Sequence, residues 1–182
     1  TFNIIVNAVN DLPVATANTV TTTEDNAYNF TASDFTYSDV ETDAIVSATI
    51  TNLTLAGGTL THSGGTTVNS GDTLSAAQLD TLVYTPAANA NGTPLASFDF
   101  TVNDDDVGVF AAQMSIDVTA VNDVAVATAN TVTTTEDNAY AFTAADFTFS
   151  DAEGDALVSA TITNLSLGGG TLTHSGGIAV NH

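Results

Sequence analysis

Hydrophobic and polar residues alternate with a period of two along much of the chain. Tyr28, Phe30 and Ala32 fall on one face of such a segment, with Asn29 and Thr31 on the other. The same spacing recurs in Phe98-Asp99-Phe100-Thr101-Val102, in Met114 to Ala120, and in Val46, Ala48 and Ile50 against Ser47, Thr49 and Thr51. Successive side chains of a strand point to opposite faces, so each of these segments reads as a half-buried strand. Turn signals lie between them at Gly57-Gly58, Gly64-Gly65, Asn69-Ser70-Gly71-Asp72 and Asn91-Gly92. The pattern predicts strands near 14–22, 27–32, 45–53, 58–63, 82–86, 96–103 and 109–121. About seven short strands with regular turns is the count of a Greek-key sandwich. One stretch, Ser75 to Leu82, has helical character, with Ser75 placed as its N-cap.

The chain also repeats itself. Val9-Asn10-Asp11 returns 112 positions later as Val121-Asn122-Asp123, and residues 9–69 differ from 121–181 at only 12 of 61 positions. A period of this length is that of a domain, too long for a solenoid repeat. Because Phe2 to Val9 aligns with Met114 to Val121, residues 1–10 read as the last strand of a preceding repeat. Residues 11–122 then form a complete repeat, and 123–182 the N-terminal half of the next.

Charge narrows the functional classes. The 182 residues hold 21 Asp and Glu and no Lys or Arg, a formal net charge of −21. Nucleic acid and anionic membrane surfaces are bound through Lys and Arg, so both are excluded as expected partners. No apolar run is long enough to insert in a membrane, and no cysteine is present to form a disulfide or a thiolate site. Two carboxylates about 4 Å apart repel by roughly 1 kcal/mol in water and about 4 at an effective dielectric near 20. Acids that cluster without a cationic side chain therefore call for a metal cation.

The acids do cluster, and they do so at the loops and linkers of the strand map. Asn10-Asp11 returns as Asn122-Asp123, and Glu24-Asp25 returns as Glu136-Asp137. Asp39, Glu41 and Asp43 return as Asp151, Glu153 and Asp155, while the group Asn103-Asp104-Asp105-Asp106 lies between the last two strands, with Asp104, Asp105 and Asp106 as its candidate ligands. Counting strands end to end places the Asp39 and Asp104 loops at one end of the repeat and the Glu24 turn at the other. The junction near Asp123 is then expected to collect Glu24, Asp25, Asn122, Asp123, Asp151, Glu153 and Asp155. Several carboxylates with an amide or carbonyl oxygen form the ligand set of Ca2+, which takes six to eight hard oxygens in forgiving geometry.

These residues also carry a resemblance. Val121-Asn122-Asp123, Asp39-x-Glu41, and Phe98-x-Phe-Thr-Val-x-Asp with its closing Val-x-Ala-Val-Asn-Asp resemble the linker, acidic loop and end of a cadherin repeat. Thr23-Glu24-Asp25 resembles the acidic turn of the bacterial cadherin-like tandem repeats found in giant, type I-secreted RTX-type adhesins. The resemblance implies an all-β, cadherin- or immunoglobulin-like sandwich in tandem array. It also implies Ca2+ at the domain junctions and an extracellular, cell-surface role in attachment or biofilm formation. The linker departs from the fuller Asp-x-Asn-Asp-Asn of animal cadherins. Asp80 is a candidate for the acid that cadherins place at that end.

The expected role is a calcium-stiffened spacer or stalk whose partners are its neighbouring repeats. Two other roles are compatible with the residues. The repeat could itself bind a surface glycan, a receptor or a like chain, although Trp is absent. Alternatively, a surface filament could form in which the strand at 2–9 completes another chain's sandwich. Catalysis is not expected, since the only nucleophile-activating candidate in a repeat is His62, or His174 in its copy. Its period-two neighbour Leu60 marks His62 as a strand-end structural residue. For the acids, the competing reading is that Asp and Asn simply close turns.

Overall fold

A computed structural model describes residues 2–7, 9–104 and 110–180. The chain divides into two units, Thr1–Val121 and Asn122–His182.

The first unit holds eleven strands among the described residues. They are β1 (Val14–Ala15), β2 (Asn18–Thr23), β3 (Tyr28–Asn29), β4 (Tyr37–Ser38), β5 (Ser47–Thr54), β6 (Thr59–His62), β7 (Thr66–Thr67), β8 (Thr73–Ser75), β9 (Val83–Thr85), β10 (Gly92–Asn103) and β11 (Ala112–Thr119). One sheet has the order β2-β11-β10-β5-β8 and the other β3-β9-β6-β7, with β1 and β4 forming a separate pair. Neighbours in each sheet are seldom consecutive in the chain, as a Greek-key sandwich requires. The pairing of β2 with β11 is parallel, Asn18 opposite Met114 through Thr23 opposite Thr119. The remaining ladders of the unit are antiparallel.

Alternation in the sequence becomes burial in the sandwich. Phe98, Phe100 and Val102 of β10 and Met114, Ile116 and Val118 of β11 point inward, against Phe30, Phe35, Ile50, Leu60 and Tyr84. The Phe35 and Phe100 rings meet edge to face with centroids 5.2 Å apart, and Phe30 meets Phe98 at 5.8 Å. Such pairs add about 0.5–1.5 kcal/mol each to the burial of their area. Burial raises the pKa of the Tyr84 phenol, whose hydroxyl donates to the Leu55 carbonyl. Gly58 is required where the chain passes this ring, because a Cβ there would sit 2.6 Å from the Thr85 carbonyl oxygen.

All seven expected strands are present, with adjustments. The first divides into β1 and β2. Three strands, β4, β7 and β8, had not been expected, since two or three residues are too few to show alternation. Val46, expected inward with Ala48 and Ile50, is 52% exposed because it lies ahead of the start of β5. The helical stretch is one turn, Ala76–Leu79, with the Ser75 hydroxyl accepting from Gln78 N–H and the Gln78 side chain accepting from Ser75 N–H at 2.9 Å. That reciprocal capping box fixes its start. The described residues of 2–7 are exposed and carry no strand.

The second unit repeats the local features of the first. Val126–Ala127 (β12) pairs with Phe149–Ser150 (β13), and Thr173–His174 (β14) with Ile178–Ala179 (β15). Ala15, Val20, Phe30, Phe35, Ala48, Ile50, Leu60 and Val68, the core residues of the first half-repeat, return unchanged as Ala127, Val132, Phe142, Phe147, Ala160, Ile162, Leu172 and Val180. Yet Phe142 is 48% exposed where Phe30 is 1%. The segments matching β2 and β5 form no strands here. In the first unit their partners are β8, β10 and β11, and residues 122–180 contain no counterpart of these.

Removing the Phe98 ring from the centre of the core is expected to cost about 3–5 kcal/mol in Phe98→Ala. Thr21→Ala, on the exposed face of β2, should stay within about 0.5 kcal/mol. Urea unfolding of the two variants measures both.

Candidate functional site

The sandwich gathers separate acidic stretches at one end of the first unit. Ser38 pairs with Val14, so the chain entering at Asp11 runs beside the loop that follows β4. Asn103 pairs with Ser47, so the loop leaving β10 starts beside the entrance to β5. Asp11, the 39–43 loop and Asn103-Asp104 therefore share this end. Glu24, opposite the far terminus of β11, lies at the other end, and both placements agree with the strand count.

Hydrogen bonds fix the loop internally. The Asp43 N–H donates to Asp39 Oδ1 at 3.1 Å and the Asp11 N–H to Glu41 Oε2 at 3.1 Å. The Tyr37 hydroxyl donates to the Asp43 carbonyl at 2.8 Å and accepts the Ile45 N–H at 3.0 Å. Asp39 thus closes an Asx-type turn, the role that the competing reading assigns to it. That turn uses only one of its oxygens. Asp39 Oδ2 is buried with no hydrogen-bond partner, and so is Oδ1 of Asn103, whose amide group donates to Ser47 Oγ at 3.0 Å. Asn103 and Asp104 are only 8% and 5% exposed. A buried acceptor left without a donor costs about 1–3 kcal/mol, more when charged, so these oxygens are suited to a cation.

Asn103 was not among the residues expected from the sequence to be ligands. It does head the acidic group Asn103-Asp104-Asp105-Asp106 in the sequence, of which only the carboxylates were expected to bind. Asp105 and Asp106 lie outside the described residues. Among the described residues, no three His, Asp or Glu side chains converge closely enough to hold one ion by themselves.

The Glu24 turn is built differently. Asp25 is exposed and adopts φ 62°, a left-handed turn conformation that Asp tolerates. Glu24 is fully buried, and its carboxylate accepts the Val121 N–H and, at 3.4 Å, the Asn91 side-chain amide. Asp80 is exposed, but its carboxylate is engaged within the repeat, accepting the Ala32 N–H at 2.7 Å. His62 is 8% exposed at the end of β6, with Nδ1 3.1 Å from Ser63 Oγ.

The second unit reproduces the pattern of the loop. The Asp123 N–H donates to Glu153 Oε2 at 3.0 Å and the Asp155 N–H to Asp151 Oδ1 at 2.8 Å. Asn10 and Asn122 each turn their amide onto the following carbonyl, of Asp11 at 3.4 Å and of Asp123 at 3.0 Å.

A family model described as a bacterial Ig domain matches residues 10–117, from the Asn-Asp pair into β11. The chain belongs to the bacterial Ig domain family. No curated protein and no solved structure matches it. Bacterial Ig domains commonly occur in surface proteins and are typically structural. No helix among the described residues of this Ig repeat is long and apolar enough to cross a membrane.

One natural substitution tests how the acidic loop is held: Tyr37 of the Ig repeat is Phe149 in its copy. Because the Tyr37 hydroxyl both donates and accepts, Tyr37→Phe should lower stability by about 1–2 kcal/mol. Faster exchange of the Ile45 amide would localise that loss.

Proposed function

We propose that the chain is a length of spacer stalk from a bacterial cell-surface protein, in which each Ig repeat binds Ca2+ through the acids at its leading end. The observation that carries this reading is the pair of buried, unpartnered oxygens, Asp39 Oδ2 and Asn103 Oδ1, set among carboxylates in a chain without a single Lys or Arg. In the first repeat the ion would seat on Asp39 and Asn103, and Glu41, Asp43 and Asp104, which do not converge without it, would close around it, with Asn10, Asp11, Asp105 and Asp106 as further oxygens. Asn122, Asp123, Asp151, Glu153 and Asp155 would serve in the next.

The ion supplies charge neutralisation and crosslinking. It relieves the mutual repulsion of the acids and ties the incoming chain to the loops that follow β4 and β10. A flexible string of repeats then becomes a stiff one. The cadherin-like motifs point the same way, toward an extender of an RTX-type adhesin that holds its adhesive part away from the cell. The chemistry of attachment would reside in other parts of such a protein, and this chain would act mechanically, without catalysis.

A ligand at a hundred times its Kd stabilises the folded state by about 2.7 kcal/mol. For the first repeat this corresponds to a rise in Tm of several degrees on adding millimolar Ca2+ to metal-free protein. Asp39→Asn should remove most of that rise and most of the heat of binding in calorimetry. An unchanged Tm together with no binding heat would sink the proposal.

A further inference from the structure

Glu24 is the clearest feature that the cation site does not use. A buried carboxylate must be compensated by donors, and this chain has no cationic side chain to offer. Its principal donor is the Val121 N–H, two residues beyond the end of β11. The Glu24 N–H donates to the Thr119 carbonyl at 3.0 Å, extending the β2–β11 ladder, and Asn91 holds the second carboxylate oxygen. Glu24 therefore ties down the chain as it leaves the first unit. At the start of the second unit, Glu153 accepts the Asp123 N–H at 3.0 Å. Only Asn122 lies between the two held amides, and its own side chain is hydrogen-bonded to the Asp123 carbonyl.

We infer that Glu24 and Glu153 are positioning residues that hold the backbone on the two sides of Asn122, Glu24 at the end of the first unit and Glu153 at the start of the second, without any metal. This inference is independent of Ca2+ binding. It assigns Glu24 to the polypeptide backbone, not to an ion. Reach explains the residue type: a carboxylate at position 24 must extend past Thr119 to Val121, and Glu is one methylene longer than Asp. Charge-assisted bonds of this kind are roughly twice as strong as neutral ones, which suits a residue that holds the chain at the end of its own unit.

The test is amide hydrogen exchange on the full chain with all calcium chelated, read at Val121 and Asp123, with Phe98 and Ile116 as reporters of the intact core. Both linker amides should be protected in the unaltered chain. Glu24→Asp, which keeps the charge but loses the reach, should lower Val121 protection at least about tenfold. Glu24→Gln, which keeps length and an acceptor, should lower it less. A residue that served only as a metal ligand would, with calcium chelated, leave Val121 protection unchanged in both variants, and that outcome would overturn the inference. So would an unprotected Val121 in the unaltered chain. Should the Glu24 variants lose core protection, Glu153→Ala decides the question. It should speed exchange of Asp123 about threefold or more and leave Val121 unchanged, and an unaffected Asp123 would count against the clamp. Because calcium is absent throughout, the outcome is separable from that of the cation-binding proposal.

Discussion

Negative charge without an internal counter-charge is the constraint under which this fold is built. Every ion pair that an ordinary surface would use is unavailable, since the chain has no Lys or Arg. Its carboxylates are satisfied in three ways. Some accept backbone N–H groups, as Asp39, Glu41, Asp80 and Glu24 do. Some accept side-chain donors, as Asp99 does from the Asn52 amide at 2.7 Å. The rest face solvent or lie at the end of the repeat shared by the 39–43 loop and Asn103-Asp104. The first two ways stabilise a single repeat. The third concentrates charge next to the linker, where neutralisation would have a mechanical effect.

The sandwich makes this possible by separating two tasks. Its core is a conventional apolar one, with Phe30, Phe35, Phe98 and Phe100 stacked between the sheets, and it needs nothing from the acids. The ends of the strands are then free to carry residues chosen for the junction. The near-identity of the two copies extends to both tasks, since the eight core positions and the Asp-x-Glu-x-Asp loop are retained alike. Tyr37 to Phe149 and Thr42 to Gly154 show where variation is tolerated. Gly154 occupies at φ 76° the left-handed conformation that Thr42 adopts at 64°, so the later copy carries the less strained residue there.

Much of this was legible in the residues, and the gaps have physical causes. Long strands announced themselves because alternation over five or more residues matches the two-residue period of a strand and not the 3.6-residue period of a helix. The short helix was legible because Ser75 and Gln78 stand three apart. The brief strands β4, β7 and β8 were not, because their pairing depends on partners far along the chain. The gathering of the Asp39 and Asp104 loops at one end followed from counting strands. The burial of Glu24 did not follow, because its main partner is a backbone amide of Val121, which leaves no trace in residue type. Asn103 was read as part of the last acidic group but not as a ligand for a related reason: its significance lies in an unpartnered oxygen, a property of packing.

The central claim is that the crowded acids at the leading end of the repeat are the place where a divalent ion acts. Following backbone amide resonances while Ca2+ is titrated into metal-free protein tests it most directly. The account requires saturable shifts confined to Asp11, residues 39–43 and Asn103-Asp104, and their counterparts around Asp123 and Asp151–Asp155. Shifts that are absent, or weak and spread over all the acidic residues without saturation, would contradict it.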